Sequence, residues 1–180
     1  AASNNTALIP NPTVTYTSAA TTGSLSYTPV VNASGTAMIT VTVTDDGGTA
    51  NGGVATTTQT FTVTVTAVND APTLAAIANP AAILEDASAQ TVNLTGIAAG
   101  GGETQGLTVT ATSSNTALIP NPTVTYTSAA TTGSLSYTPV ANASGTAIIT
   151  VTVTDDGGTA NGGVATTTQT FTVTVTAVND

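Results

Sequence analysis

Apolar and polar residues alternate with a period of two along much of this sequence. The stretch 146–156, "TAIITVTVTDD", alternates Ile or Val with Thr, and the stretch 170–178, "TFTVTVTAV", repeats the pattern. Because successive side chains of a strand point to opposite faces, each stretch predicts a β-strand with one apolar face and one Thr face. Phe171 lies on the apolar side, so Phe171 and its copy Phe61 are expected in a core.

Shorter stretches of β-forming residues, bounded by Gly, Pro and Asn, predict further strands. They are 73–77, 90–97, 107–113, 123–128 and 133–140. Together with the two long stretches they give seven strands in residues 71–180. That number and spacing predict an all-β fold, a seven-stranded antiparallel β-sandwich.

The sequence is an internal repeat. Residues 1–70 match residues 111–180 except at positions 2, 4, 31 and 38. Residues 71–180 are therefore predicted to form one complete sandwich repeat, and residues 1–70 the C-terminal part of a truncated one. Such a part should have an open core. Two interpretations follow: an excerpt of a tandem array, or a partial unit completed by strands of another molecule.

The composition of charged residues excludes or disfavours several classes of function. The 180 residues include nine acids but no Lys, Arg or His, so the net charge is −9 and no acid can pair with a basic side chain. Binding of nucleic acid is excluded on this ground, since nothing displaces its counterions. Catalysis is the least favoured function, because carboxylates are the only general acids or bases. Apolar runs are too short for membrane insertion in this segment.

The acids are predicted to cluster at the ends of the domains. In a seven-strand sandwich the "DDGG" turn and the second strand's end share an end with the incoming linker, while "ILED" shares the other end with the outgoing linker. The expected first group is Asn69, Asp70, Glu103, Asp155 and Asp156, the second is Glu85, Asp86, Asn179 and Asp180, and Asp45 and Asp46 are the copies of Asp155 and Asp156. Oxygen-only ligands on Gly-rich loops suit Ca²⁺. "DDGG" is equally typical of an ordinary turn.

Three motifs also carry a resemblance that covers the whole chain. "TVTVTAVNDAPT" (62–73), "ILEDASAQTVNL" (83–94) and "VTVTDDGG" resemble the cadherin-like, Ig-like tandem repeats of large bacterial surface proteins and adhesins, and more distantly cadherin. The resemblance implies Ca²⁺ ligands at Asn69, Asp70, Glu85, Asn179 and Asp180, with Asp155 and Asp156 as loop acids. The chain departs from cadherin at "AAGGGE", which leaves only Glu103, and at "TPVANASGTA". Fewer ligands imply weak to moderate affinity.

These features favour a structural role: an extracellular extender, stalk or filament unit of a bacterial cell-surface protein, with junctions stiffened by Ca²⁺. The expected partners are neighbouring repeats of the same protein, including self-assembly into fibres by strand exchange. The alternative is an adhesive module that recognises a glycan, a cell surface or ice through its Thr-rich face. That alternative predicts a patch of exposed aromatic residues or irregular loops.

Overall fold

A computed structural model describes residues 1–179 and is all-β, with 42% strand and 3% helix. The chain divides into two compact units, unit 1 (Ala1–Ala67) and unit 2, which begins at Val68. The helical content is two 3₁₀ turns, Ala50–Gly52 and Ala160–Gly162. In the part that is described, no helix has the length and apolar character needed to cross a membrane.

Unit 2 contains seven strands in two sheets. They are β6 (Ile83–Leu84), β7 (Gln90–Thr95), β8 (Leu107–Ser113), β9 (Thr123–Thr125), β10 (Thr132–Tyr137), β11 (Gly145–Asp155) and β12 (Thr166–Thr176). One sheet has the order β7-β10-β9 and the other the order β6-β12-β11-β8. The two long strands form the hairpin β11–β12, whose register runs from Gly145 opposite Val175 to Thr154 opposite Thr166.

Both sheets of unit 2 contribute to one hydrophobic core. The three-stranded sheet supplies Leu94 and Leu135, and the four-stranded sheet supplies alternate residues of the long hairpin such as Ile149, Val151 and Phe171. The intervening Thr residues remain partly or fully exposed. The alternation in the sequence therefore sets which face of each long strand is buried, as predicted.

Unit 1 has the same hairpin but a much smaller core. Its strands are β1 (Ala2–Ser3), β2 (Thr13–Thr15), β3 (Ser24–Ser26), β4 (Gly35–Thr44) and β5 (Thr56–Val65). They form the sheets β1-β4-β5 and β2-β3. Four residues make up the buried cluster, Leu8, Ile9, Ala37 and Ile39.

Three details differ from the sequence-based expectations. Strand β6 pairs in parallel with β12, so the predicted all-antiparallel arrangement is wrong at this edge. The stretch 73–77 forms only the bridge between Thr73 and Ala98, and the strand comes later, at Ile83–Leu84. Phe61, expected in a core, is 41% exposed. Its copy Phe171 is buried in a core cluster that includes Leu74, Leu94 and Ile97, residues with no counterpart in unit 1.

Candidate functional site

The alternation of side chains along strand β11 places one carboxylate of the "DDGG" turn on the buried face of the strand. Ala147, Ile149, Val151 and Val153 are buried on one face, and Asp155 is the next residue on that face. Asp156, one position later, is exposed. A buried carboxylate in a chain without basic residues needs neutral hydrogen-bond donors, because burial of an unpaired charge is costly.

Asn69 supplies such a donor from the linker that opens unit 2. Its side-chain amide nitrogen Nδ2 lies 3.0 Å from Asp155 Oδ1, 3.1 Å from the Gly158 carbonyl oxygen and 2.9 Å from the Val164 carbonyl oxygen. Its backbone carbonyl accepts a hydrogen bond from the Val164 amide at 3.0 Å. Asn69 is itself buried. It therefore fills the loop between β11 and β12, and we call this arrangement the Asn69 lock.

Two loop residues complete the lock. Gln105 donates from Nε2 to Asn69 Oδ1 at 2.6 Å, and the Gly157 amide donates to Asp155 Oδ1 at 2.9 Å. A Cβ built at position 157 would collide with Asn69 Oδ1 and Gln105 Nε2, so any larger residue there would displace these two side-chain groups. The sequence "DDGG" thus provides an inward acid followed by a residue small enough to admit the linker side chain.

Two further acids bind backbone amides at the same end of unit 2. Asp156 Oδ1 accepts from the Gly106 amide at 2.9 Å. Glu103 Oε2 accepts from the Asp70 amide at 3.2 Å. The structure therefore brings Asn69, Asp70 and Glu103 together with both turn aspartates, as the topology argument expected.

Glu85 lies at the other end of unit 2, where strand β12 ends and the chain continues to Val178. It is buried, its Oε1 accepts from the Val178 amide at 2.8 Å, and its own amide donates to the Thr176 carbonyl at 3.1 Å. Asp86 and Asn179 are exposed, and Asp180 lies outside the described residues. Among the described members of the predicted second group, Glu85, Asp86 and Asn179, Glu85 is the one whose side chain holds the outgoing chain.

The copy of the turn in unit 1 shows what the loop does without a lock. Asp45 and Asp46 are exposed. Asp45 Oδ1 still accepts from the Gly47 amide at 2.9 Å, the same length as its counterpart in unit 2. The tight turn is therefore intrinsic to "DDGG", whereas the aspartate is buried in unit 2, where Asn69 and the loop before β8 contact it or its neighbour Asp156.

The described residues provide only some of the oxygen ligands that a cation site needs. Over residues 1–179, no group of three or more Asp and Glu residues is close enough to hold a metal ion. Two buried oxygens have no hydrogen-bond partner, Asp155 Oδ2 and Gln105 Oε1. Both are oxygen ligands of the kind that hard cations bind. A cation here would rely on few carboxylates and on amide or carbonyl oxygens.

Sequence reasoning did not identify Gln105. The residue lies in the Gly-rich loop just before β8, and nothing in its local pattern distinguishes it from a solvated loop residue. Its role depends on contact with a residue 36 positions earlier. The sequence contains one weak indication of this role. Gln105 lies two residues after Glu103, in the loop that the predicted topology places at the same end of the domain as the incoming linker and the "DDGG" turn.

No protein-family model matches this chain, and neither does any curated protein. Similar solved structures include domains 4 and 5 of the S-layer protein SbsC, at 18% identity over 97% of this chain and 74% of that one, with a TM-score of 0.38. A structure of SbsC domains 4–9 is 20% identical over 98% of this chain and 21% of that one, with a TM-score of 0.39. The endo-fucoidan hydrolase MfFcnA4 of glycoside hydrolase family 107 is 20% identical over 86% and 20% of the two chains, with a TM-score of 0.42. At these TM-scores the likeness carries no functional argument.

Proposed function

We propose that this chain is a load-bearing structural segment of a bacterial cell-surface protein, built from tandem two-sheet sandwich repeats. The observation that carries the proposal is that unit 2 holds its chain at both ends. Asn69 ties the incoming linker to the β11–β12 loop, and Glu85 ties Val178 just beyond β12. Tension applied along the chain would act first on these two ties.

Composition is compatible with an extracellular location and supports the structural role. The surface is rich in Thr and carries no basic side chain, and the chain has no Cys whose state depends on a redox compartment. Two nearly identical copies suit a spacer, in which the number of repeats sets the length and no copy needs a unique site. Catalysis has no support from the buried aspartate, because its observed partners are amide groups that hold the loop.

The adhesive alternative has less support. It predicts exposed aromatic residues or irregular loops, but in unit 2 Tyr137 and Phe171 are buried and Tyr126 is partly buried. The Tyr126 hydroxyl donates to the Ala130 carbonyl at 3.0 Å, which is an ordinary structural contact. The Thr faces serve the strands and the solubility of the sheet.

The experiment is force spectroscopy on the full chain, pulled from its two termini. We expect one discrete unfolding event for unit 2, with a contour length of about 350 to 400 Å, and a lower unfolding force for Asn69→Ala and for Glu85→Ala. Asn179→Ala and Asp86→Ala are matched controls, because both residues are exposed. Extension without a discrete event, or equal forces for all four variants, would refute the load-bearing role.

We also propose that Ca²⁺ binds the Asn69 lock weakly, with Asp155 Oδ2 and Gln105 Oε1 among its ligands. The support is that both oxygens are buried without a partner and that the chain has no basic residue to offset the acids. An ion with a Kd of about 1 mM would stabilise unit 2 by about 1.4 kcal/mol at about 10 mM Ca²⁺.

Thermal unfolding of the full chain in Ca²⁺ and then in EDTA tests this part separately. We expect a Ca²⁺-dependent rise in the Tm of unit 2 that Asp155→Asn removes and that Asp45→Asn, at the exposed copy, retains. If Ca²⁺ leaves the Tm unchanged, the Asn69 lock works through hydrogen bonds alone, and the ion is excluded without affecting the structural proposal.

A further inference from the structure

Asn161 is followed by Gly162 in the loop between β11 and β12. The same pair recurs at Asn51 and Gly52, and the chain has no other Asn-Gly pair. Asn161 is exposed and has a positive φ of 57°. Gly162 is exposed as well, and a Cβ built there would meet no atom within 4 Å. Both residues of the pair therefore lie in open space at the surface of unit 2.

An exposed Asn-Gly pair loses ammonia by an intramolecular reaction, which contributes to the thermolability of asparagine. The backbone nitrogen of Gly162 attacks the side-chain carbonyl carbon Cγ of Asn161. The new N–C bond forms, the Cγ–Nδ2 bond breaks, and the proton of the attacking nitrogen leaves with Nδ2 as ammonia. Water then opens the resulting succinimide ring. Opening at one carbonyl gives aspartate, and opening at the other gives isoaspartate, whose backbone runs through the former side chain.

Glycine after asparagine favours this reaction, because no side chain hinders the attacking nitrogen and the backbone rotates freely. The attack requires rotation about the Cα–C bond of Asn161 from its ψ of 23°. Local opening of an exposed loop supplies such a rotation. Asn142 provides the comparison within the same unit, since it is exposed and has a φ of 58° but is followed by Ala143.

Asn69, the asparagine of the lock, is protected from the same reaction. It is buried, its Nδ2 donates to three acceptors, and its Oδ1 accepts from Gln105. The residue after it is Asp70, whose side chain hinders attack by the backbone nitrogen. The loop between β11 and β12 therefore contains one reactive asparagine and encloses one protected asparagine.

The reactive pair lies directly before the residues that hold the linker. The Gly163 amide donates to the Ala160 carbonyl at 3.0 Å across the pair, and the Val164 amide donates to the Asn69 carbonyl at 3.0 Å. Isoaspartate adds a carbon atom to the backbone between Ala160 and Gly163, so the 3₁₀ turn loses its register. It also adds a carboxylate to a chain that has no basic residue.

We propose that the Asn161–Gly162 pair is a site of spontaneous deamidation, and that isoaspartate formed there releases the Asn69 lock. Water is the only co-reactant, so the conversion depends on time, temperature and pH. Asn51 converts by the same chemistry, because it has the same neighbours in sequence and a positive φ of 55°. The inference rests on the hydrogen bonds of the lock and not on the proposed load-bearing role.

The test is to age the full chain at neutral and at mildly alkaline pH and to map it by mass spectrometry. Chymotrypsin cleaves after Tyr and Phe and gives the peptides 28–61 and 138–171, which differ in sequence at two positions, so the two loops are distinguished. We expect loss of the amide at Asn161, with isoaspartate detected by enzymatic methylation. Asn142, in the same peptide, should keep its amide.

Ageing should also lower the Tm of unit 2 and speed amide exchange at Val164, in proportion to the isoaspartate formed. Asn161→Gly permits the left-handed conformation and removes the reactive side chain, so the aged variant should keep its Tm. Freshly purified Asn161→Asp adds the charge without lengthening the backbone. It should keep the protection of Val164.

Any of four results would overturn the proposal. Asn161 keeps its amide for as long as Asn142 does, or unit 2 keeps both its Tm and the protection of Val164 after isoaspartate has formed. Aged Asn161→Gly loses stability as fast as the unmodified chain, which would assign the loss to other damage. Fresh Asn161→Asp already lacks the protection of Val164, which would assign the effect to charge and not to the longer backbone.

Discussion

The side chains of Asn69 and Asp155 are joined by a 3.0 Å hydrogen bond although they lie 86 positions apart in the sequence. Asn69 belongs to the linker motif "VND" and Asp155 to the turn motif "DDGG". In a chain without basic residues, a side-chain amide takes the place of a counter-ion by donating to the buried carboxylate. The two motifs therefore act together, because the amide of the linker motif stabilises the buried carboxylate of the turn motif.

Replacing Asn69 by Ala should destabilise unit 2 by about 3 kcal/mol, because it removes a donor to a buried carboxylate and to two carbonyls. Asn69→Asp should cost more, since a second carboxylate beside Asp155 is repelled by about 4 kcal/mol at an effective dielectric constant of about 20. Denaturant unfolding, monitored by amide exchange of unit 2, measures the loss of stability in both variants. Asn179→Ala, at the exposed copy, is the control and should leave the stability of unit 2 unchanged.

Gly157→Ala should disrupt the Asn69 lock although it replaces none of the side chains that form hydrogen bonds in it. The added Cβ would collide with Asn69 Oδ1 and Gln105 Nε2, and overpacking of this kind costs about 2 kcal/mol. Gly47→Ala introduces the same Cβ into the copy of the loop, where the nearest atom is Asp45 Oδ1 at 3.2 Å. Thermal unfolding should show a loss for the first variant only, and equal losses would mean that the turn itself, not the lock, is sensitive.

The parts of the fold that were predictable from sequence are those set by local pattern. The alternation along β11 and β12 fixes their inward faces, and the same alternation carried one step further places Asp155 inside. The grouping of Asn69, Glu103 and the turn aspartates followed from topology. What these share is that strand direction and period alone decide them.

The remaining features depend on contacts between distant residues. Strand β6 pairs in parallel with the end of β12 through two residues, too few to leave a recognisable pattern. Gln105 has a role only because Asn69 reaches it. Phe61 and Phe171 have the same neighbours in sequence, so no local pattern can predict that one is exposed and the other buried.

Glu85→Ala should loosen the end of unit 2, because the Val178 amide would lose its acceptor. We expect a loss of about 1.5 to 3 kcal/mol, the range for a hydrogen bond to a charged group, and faster exchange of the Val178 amide. Glu85→Gln keeps an acceptor oxygen and should recover most of the stability. Equal losses for both variants would show that the negative charge, not the hydrogen bond, is what matters.

Alkaline pH should destabilise unit 2 through Tyr137. Burial raises the pKa of this phenol above its usual value of 10.0. As pH rises past 10, the unfolded chain loses this proton before the folded one does, so stability falls until the pH passes the folded pKa. The slope for one proton is at most about 1.4 kcal/mol per pH unit. Desolvation also raises the pKa of Tyr126, which adds to the effect.

Tyr137→Phe should remove the part of the alkaline loss that is due to this phenol, while changing stability little at neutral pH. The measurement is the denaturation midpoint of unit 2 from pH 8 to pH 11. Tyr27→Phe is the matched control, because Tyr27 is the exposed copy of Tyr137 in unit 1 and its removal leaves unit 2 intact. If the midpoints of Tyr137→Phe and the unmodified chain fall in parallel above pH 10, burial of Tyr137 does not drive the alkaline transition, and the other tyrosines, which titrate in the same range, become the groups to test next.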